Sequence, residues 1–253
     1  VTTNQIAIGT AAGGYQQGEE NISLGFAAGS FIEGNRNFHV GSNAGSDTIG
    51  DDNMAIGQQA GGSTSGSRNS AIGLRAGHRS KGNDNLMFGT EAGQNIQGDD
   101  NIALGRETGK GSTGQRNTSL GMGAGVSTSG NDNIGIGSNA GNFYFMDASG
   151  TQMQDRNGNV YTMTFDPITG SPMLQDQNGA LYDMATLAQD HPELIPASRE
   201  NTVSLGNQAY AGANQAIAMG NNSYAQAASS TAIGDGAISR LKDSVALGSG
   251  SVA

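Results

Sequence analysis

A chain of 253 residues with a formal charge of −10, no cysteine and no tryptophan has neither disulfides nor thiolate metal sites at its disposal. The acidic balance argues against nucleic acid and anionic membrane surfaces as partners, and no apolar run approaches the roughly 18 residues of a membrane span. Aromatic residues make up 5 % and charged residues 13 %, while the 42 glycines lie far above the usual share of about 7 %, which leaves disorder or a backbone that demands glycine.

Residues 1–141 decide for the second. No signal-peptide pattern opens the chain, so residue 1 reads as an internal or processed start. Glycine recurs every sixteen residues from Gly9 to Gly137, again from Gly13 to Gly141, and again from Gly18 to Gly130. Asparagine keeps the same step from Asn21 to Asn133, giving the unit N-x-x-h-G-x-x-A-G-x-x-x-x-G-x-x. A disordered chain has no reason to hold such a register.

Within one unit, Asn101-Ile102-Ala103-Leu104-Gly105 alternates like a strand, with Ile102 and Leu104 on one face and Ala103 on the other. The expectation is that the large aliphatic residues point inward, with Ala92, Ala124 and their equivalents as a second, smaller inward column. Strands this short cannot bury a face alone, but stacked coils rising about 4.8 Å each can share a core. Glycines such as Gly105, Gly109 and Gly114 supply the turns, and the asparagines are placed to form an amide ladder from coil to coil. The class is all-β, a parallel β-solenoid.

The beat stops in residues 142–200, which hold all four prolines, six of the thirteen aromatics, and eight acids against Arg156 and Arg199. "MQDRNGNVYTM" from Met153 and "LQDQNGALYDM" from Leu174 each place Asn-Gly between alternating apolar residues, a strong hairpin signal. A short helix is expected from Asp183 to about His191-Pro192. Phe143-Tyr144-Phe145 is a candidate recognition patch, because aromatics are enriched at binding hot spots; its alternative role is to close the end of the sixteen-residue stack.

From 201 to 253 the repeats resume with a step of fourteen at Gly206, Gly220, Gly234 and Gly248, and the chain stops inside a repeat, as if more follows. "DSVALGSGS", Asp243 to Ser251, closely resembles the NSVAIGxxS motif of YadA-like heads in trimeric autotransporter adhesins, and "NTVSLGNQA", "QAIAMGNNS" and "STAIGDGA" look like variants of it. The resemblance is close over 201–253, holds by kind over 1–141, and is absent over 142–200. It implies a left-handed parallel β-roll, three chains about a threefold axis, and display on a Gram-negative outer surface. It also implies attachment to host matrix proteins, notably collagen, or to other cells, with no cofactor and no direct membrane contact in this part of the protein. In that reading Val245 and Leu247 are core, and small outward residues such as Ser244, Ala246 and Ser251 form a flat ligand surface. The family's coiled-coil stalk and membrane barrel have no counterpart here. The narrow coils give independent support for association, which relieves a shortage of core per chain.

Sharper chemistry fails on spacing. "GRETGKGST", Gly105 to Thr113, has three residues where a phosphate loop needs four, and Gly111 where it needs Ser or Thr. The acidic turns "GDDN" and "GNDN" match no calcium-loop pattern and read as solvated turns; His39, His78 and His191 are single, so no metal or catalytic pair follows. An enzyme therefore has no constellation behind it. An ice-binding rod would need a regular threonine ladder, yet the slots at Ala7, Ser23, His39, Met87 and Gly135 are irregular. Two readings remain: an adhesive head whose repeated flat faces bind, or a spacer rod that projects 142–200 as the recognition module.

Overall fold

The computed structural model describes residues 4–141, 152–154, 160–165, 172–176, 178–183 and 199–253. Two compact units emerge, Val1–Asn142 together with Ser198–Ala253, and Phe143–Ala197. No helix occurs among the described residues.

The first unit is a parallel β-solenoid. Strands β1 to β9 (Ile6–Ile8, Ile22–Leu24, Phe38–Val40, Met54–Ile56, Ser70–Ile72, Leu86–Phe88, Ile102–Leu104, Thr118–Leu120 and Ile134–Ile136) pair in sequence, each residue with its equivalent sixteen positions on. The 13-stranded sheet then passes to β14 (Val203–Leu205), β16 (Ile217–Met219), β18 (Thr231–Ile233) and β20 (Val245–Leu247). Val203 pairs with Ile134 and Leu205 with Ile136, so the sheet keeps its register across the residues between. On the second side of each sixteen-residue coil a single bridging residue links neighbours, from Gln17 to Ser129. In the fourteen-residue coils short strands take over: β15 (Tyr210–Ala211), β17 (Tyr224–Ala225) and β19 (Ile238–Ser239).

The strand faces are the reverse of those expected. Ala103 is buried while Ile102 is 37 % exposed; Ala246 is 2 % exposed, against 55 % for Val245 and 64 % for Leu247. The cause is the width of the coil. Its interior admits one side chain per strand, small in most coils, opposite the Ala28-to-Ala140 column, and has no room for two large ones. Alternation is unchanged by inverting the strand, so it separates the two faces without naming the inner one. Slots that look outward in the sequence, Ser23, His39 and Met87, are therefore core.

Glycine is required by this closeness. Gly57 has φ 130°, and a Cβ there would run into the carbonyl of Gly73 in the next coil. At Gly45, φ 59°, a Cβ would strike the His39 ring. The expected amide ladder is present and buried: Asn101 donates from its backbone N–H (2.9 Å) and from Nδ2 (3.1 Å) to Asn85 Oδ1, and Nδ2 also donates to Gly114 O at 2.9 Å. Each amide thus satisfies backbone groups that the narrow core would otherwise strand, which is how a buried polar column is tolerated. Thr202 ends it, its hydroxyl donating to Asn133 Oδ1 at 2.6 Å.

At the same level the fully buried Arg199 fills the interior where the step changes from sixteen to fourteen. It donates to Ala211 O (2.7 Å) and Gly141 O (3.0 Å), and its guanidinium carbon lies 5.1 Å from the centre of the Tyr210 ring.

The second unit contains an antiparallel four-stranded sheet in chain order, β10 (Gln152–Gln154), β11 (Val160–Phe165), β12 (Pro172–Gln175) and β13 (Leu181–Asp183). Both expected hairpins pair, Gln154 with Val160 and Gln175 with Leu181. In the second, the Asp176 carboxylate accepts from the N–H groups of Asn178 (2.9 Å) and Ala180 (2.7 Å), and Gly179 takes φ 84°. The first Asn-Gly turn and the helix expected after Asp183 lie outside the described residues, as does His191.

Candidate interaction surfaces

Each coil of the first unit offers three surfaces. The outer face of the 13-stranded sheet carries two columns of side chains, from Ile6 to Val245 and from Ile8 to Leu247. Every member is aliphatic, Phe, Met, Ser or Thr; none is charged. Phe88, Leu120, Ile134 and Ile233 are among the exposed large apolar residues. At about 4.8 Å per strand the strip runs roughly 60 Å, and with a width near 10 Å it covers about 600 Å², the upper end of what a lone soluble chain exposes.

The turn preceding each ladder asparagine forms the second surface. Arg36, Arg68 and Arg116 each grip the aspartate one coil on through a two-pronged pair: Nε to Oδ1 at 2.6 Å in all three, and Nη2 to Oδ2 at 2.7, 2.7 and 2.8 Å. Hydrogen bonding to arginine holds Asp52, Asp84 and Asp132 below the usual carboxylate range. Asn35 and Asn83 donate to Asp51 and Asp99 in the same way, at 3.0 and 3.1 Å from Nδ2. The acidic turns therefore spend carboxylates on coil-to-coil contacts, and among the described residues no three His, Asp or Glu side chains come together as a metal site would need.

The third surface flanks the bridging column. Tyr15 and Phe31 stack with ring centres 5.0 Å apart and 10° between planes, with Tyr15 81 % exposed. Farther along come Ser63 and Ser65, then Arg79 and Lys81, then Asn95 and Gln97.

The sequence candidates fall as follows. In "GRETGKGST", Gly105 and Gly109 are coil turns, Thr108 donates to Gly121 O, and Lys110 is paired with Glu91 at 2.7 Å, so its ammonium is engaged within the rod. Asn101 and Gly114 belong to the ladder, and Gly248 to the turn after β20, with φ 106°. Of the proposed ligand surface, Ala246 is core and cannot contact a ligand. Ser244 and Ser251 turn their hydroxyls to Leu241 O (2.6 Å) and Gly248 O (2.8 Å). Phe143, Tyr144 and Phe145 lie outside the described residues.

No protein-family model and no curated protein matches this chain.

The two described histidines occupy different environments. His39 is buried with neither ring nitrogen hydrogen-bonded, and burial pushes its pKa down to about 4. His78 is shifted down as well, first by burial and then by Arg79 and Arg75. An internal space of about 10 Å³ beside Gly135, lined by Ser119, Thr128 and Thr202 among others, has room for one water and no ligand.

Sequence reasoning missed three features: the outward apolar strip, the plug at Arg199, and the Arg79–Lys81 pair. The signals for the last two were present as a lone arginine just before "NTVSLG" and as four Lys and Arg residues within 68–81 with no acid among them.

Proposed function

We propose that the chain is the non-enzymatic head of a trimeric, surface-displayed adhesin, a left-handed β-roll whose three copies cover one another's apolar strips. The observation that carries this reading is the uncharged strip along all thirteen strands, a surface that water disfavours and an identical strip can cover. The number three and the outer surface of a Gram-negative cell come from the resemblance of the fourteen-residue units to YadA-like heads. Assembly would leave the turn and bridge surfaces outward in repeated copies, suited to many weak contacts with matrix proteins such as collagen or with another cell.

Sedimentation at micromolar concentration tests the assembly. A trimer is expected, and Leu104→Lys combined with Ile136→Lys should yield a folded monomer; a native chain that remains monomeric overturns it. Adhesion is tested by binding to matrix-coated and uncoated surfaces, and equal retention on both overturns the adhesive reading.

A second reading is favoured by the pairing of β9 with β14, which leaves residues 143–197 outside the rod's register. In it the rod is a spacer and the insertion recognises the ligand. Deleting 143–197 then abolishes binding while the trimer persists, whereas an adhesive rod keeps both.

A further inference from the structure

The rod's densest run of cations lies within one coil. Between Ser67 and Lys81 there are Arg68, Arg75, His78, Arg79 and Lys81 and not one acid, in a chain whose formal charge is −10. Two of these cations are committed: Arg68 to Asp84 at 2.6 Å, and Arg75 to Gln59 Oε1 at 3.0 Å with Glu91 at 3.7 Å. Arg79 and Lys81 are not. Both are exposed on either side of the buried Ser80, and among the described residues neither has an ion-pair or side-chain hydrogen-bond partner. His78, packed over Gly62 of the preceding coil, keeps a buried Nδ1 with no hydrogen-bond partner.

The surroundings explain why these charges stay free. The preceding coil presents Ser63 and Ser65 in the same columns, and the following coil Asn95 and Gln97. A cation pair meant to stabilise the rod would have met a carboxylate one coil away, as Arg36, Arg68 and Arg116 do. This pair instead stands between hydroxyls and amides, with uncompensated positive charge on a flat surface.

We infer that the bridge surface around Arg79 and Lys81 is a docking site for an acidic, sulfated polysaccharide. Charge complementarity selects a polyanion, and the flanking serine and amide columns suit the hydroxyl-rich backbone of a glycan. Single-stranded nucleic acid is disfavoured because these columns hold no aromatic side chain for base stacking until Phe31, three coils away. A long duplex would have to lie along the acidic remainder of the rod. The site deepens the adhesive reading and rests on it for its role, but the binding itself requires only the folded coil.

The test is retention of the full chain on immobilised heparin across a salt gradient, with affinity from titration. Native protein should bind, and Arg79→Ser with Lys81→Ser, which copies the preceding coil and so preserves the fold, should weaken binding about tenfold and flatten its salt dependence. The reverse graft, Ser63→Arg with Ser65→Lys, should tighten it. Arg75→Gln should leave it nearly unchanged. No binding to heparin, or equal binding by the serine variant, overturns the proposal. So does competition by inorganic sulfate as effective per charge as by heparin, which would mean a simple anion site. Single-stranded DNA bound as tightly and with the same dependence on Arg79 and Lys81 would reassign the partner. Loss of matrix-protein binding with heparin binding intact would refute the wider adhesive reading and leave this site standing.

Discussion

The sixteen- and fourteen-residue arrays share one sheet, one register, one uncharged outer strip and an alanine-lined interior, yet they differ in how much polar side chain that interior holds. The longer coils bury polar columns: the asparagine ladder, and hydroxyls such as Ser80 and Ser112 that donate to Gly93 O and Gly125 O at 2.6 Å. The shorter coils replace the ladder with Thr202, Ala216, Ser230 and Ser244, and pack a cluster of alanines from Ala209 to Ala237. Removing two residues per coil brings the second side close enough for true two-residue strands, whose own pairing satisfies the backbone. Where the coil is wider, side chains must do this instead.

The join between the two regimes is the most vulnerable point. Arg199 bridges a carbonyl of the last long coil, Gly141 O, to one of the first short coil, Ala211 O, while its charge is desolvated enough to lower its pKa. Arg199→Ala would empty that space, take the side-chain donor from Ala211 O and leave Gly141 O only the Thr128 hydroxyl at 3.3 Å, at a cost of about 4 kcal/mol. Urea unfolding followed in both arrays checks this, and the two arrays should cease to unfold together. A change under about 1 kcal/mol would mean that the arrays need no plug.

Inside the long array, Asn85→Ala removes the acceptor for the buried Asn101 N–H and the donor to the half-buried Gly98 O. The expected loss is about 3 kcal/mol. The matched change in the short array, Ser230→Ala, removes a hydroxyl bonded to Ala227 O at 2.6 Å and should cost about 1 kcal/mol. Equal losses in unfolding experiments would break the distinction between polar-filled and alanine-filled coils.

Much of this organisation is legible in the sequence because a solenoid converts spacing into contact. Residues sixteen apart become neighbours, so the ladder from Asn21 to Asn133 follows from the period, as does the set of glycine turns. The Asn178-Gly179 hairpin follows from local turn chemistry. The orientation of the strands does not follow, since Ile102-Ala103-Leu104 alternates identically whichever side faces in; the deciding quantity is coil width, set by residues across the turn. Nor does Arg199 follow, because it occurs once and has no period to betray it. Arg79 and Lys81 were hidden by averaging charge over the chain instead of over one coil.

Acid separates the arrays again. His39 sits where other long coils hold Ala, Ser, Met or Gly, while residues 201–253 contain no histidine. Its folded pKa, about 4, lies below its ordinary 6.5, so the unfolded chain takes up the proton first as pH falls. Stability from neutral His39 is full above pH 6.5, declines between 6.5 and 4, and levels below, a difference of about 3 kcal/mol. His39→Ala should flatten that limb in thermal melts recorded across this window, and an unchanged limb would assign the acid sensitivity elsewhere.

The smallest effect is expected on the turn surface, where Arg68→Gln removes the fork on Asp84. Both side chains are more than a third exposed, so water and salt screen the pair and the melting temperature should scarcely move. The measurable consequence is local. Arg68 holds the Asp84 carboxylate below its ordinary 3.8, and the variant should bring it back up, as read by an NMR titration. The sign is the same as for His39, since both folded pKa values are depressed: the pair stabilises above pH 3.8 and is lost as pH falls below it, so the two groups act in successive windows. If Arg68→Gln instead lowered the melting temperature as much as Asn85→Ala, the turn forks would rank with the buried ladder as the element that holds coils in register. The exposure of the pair argues that they trim the register while the ladder sets it.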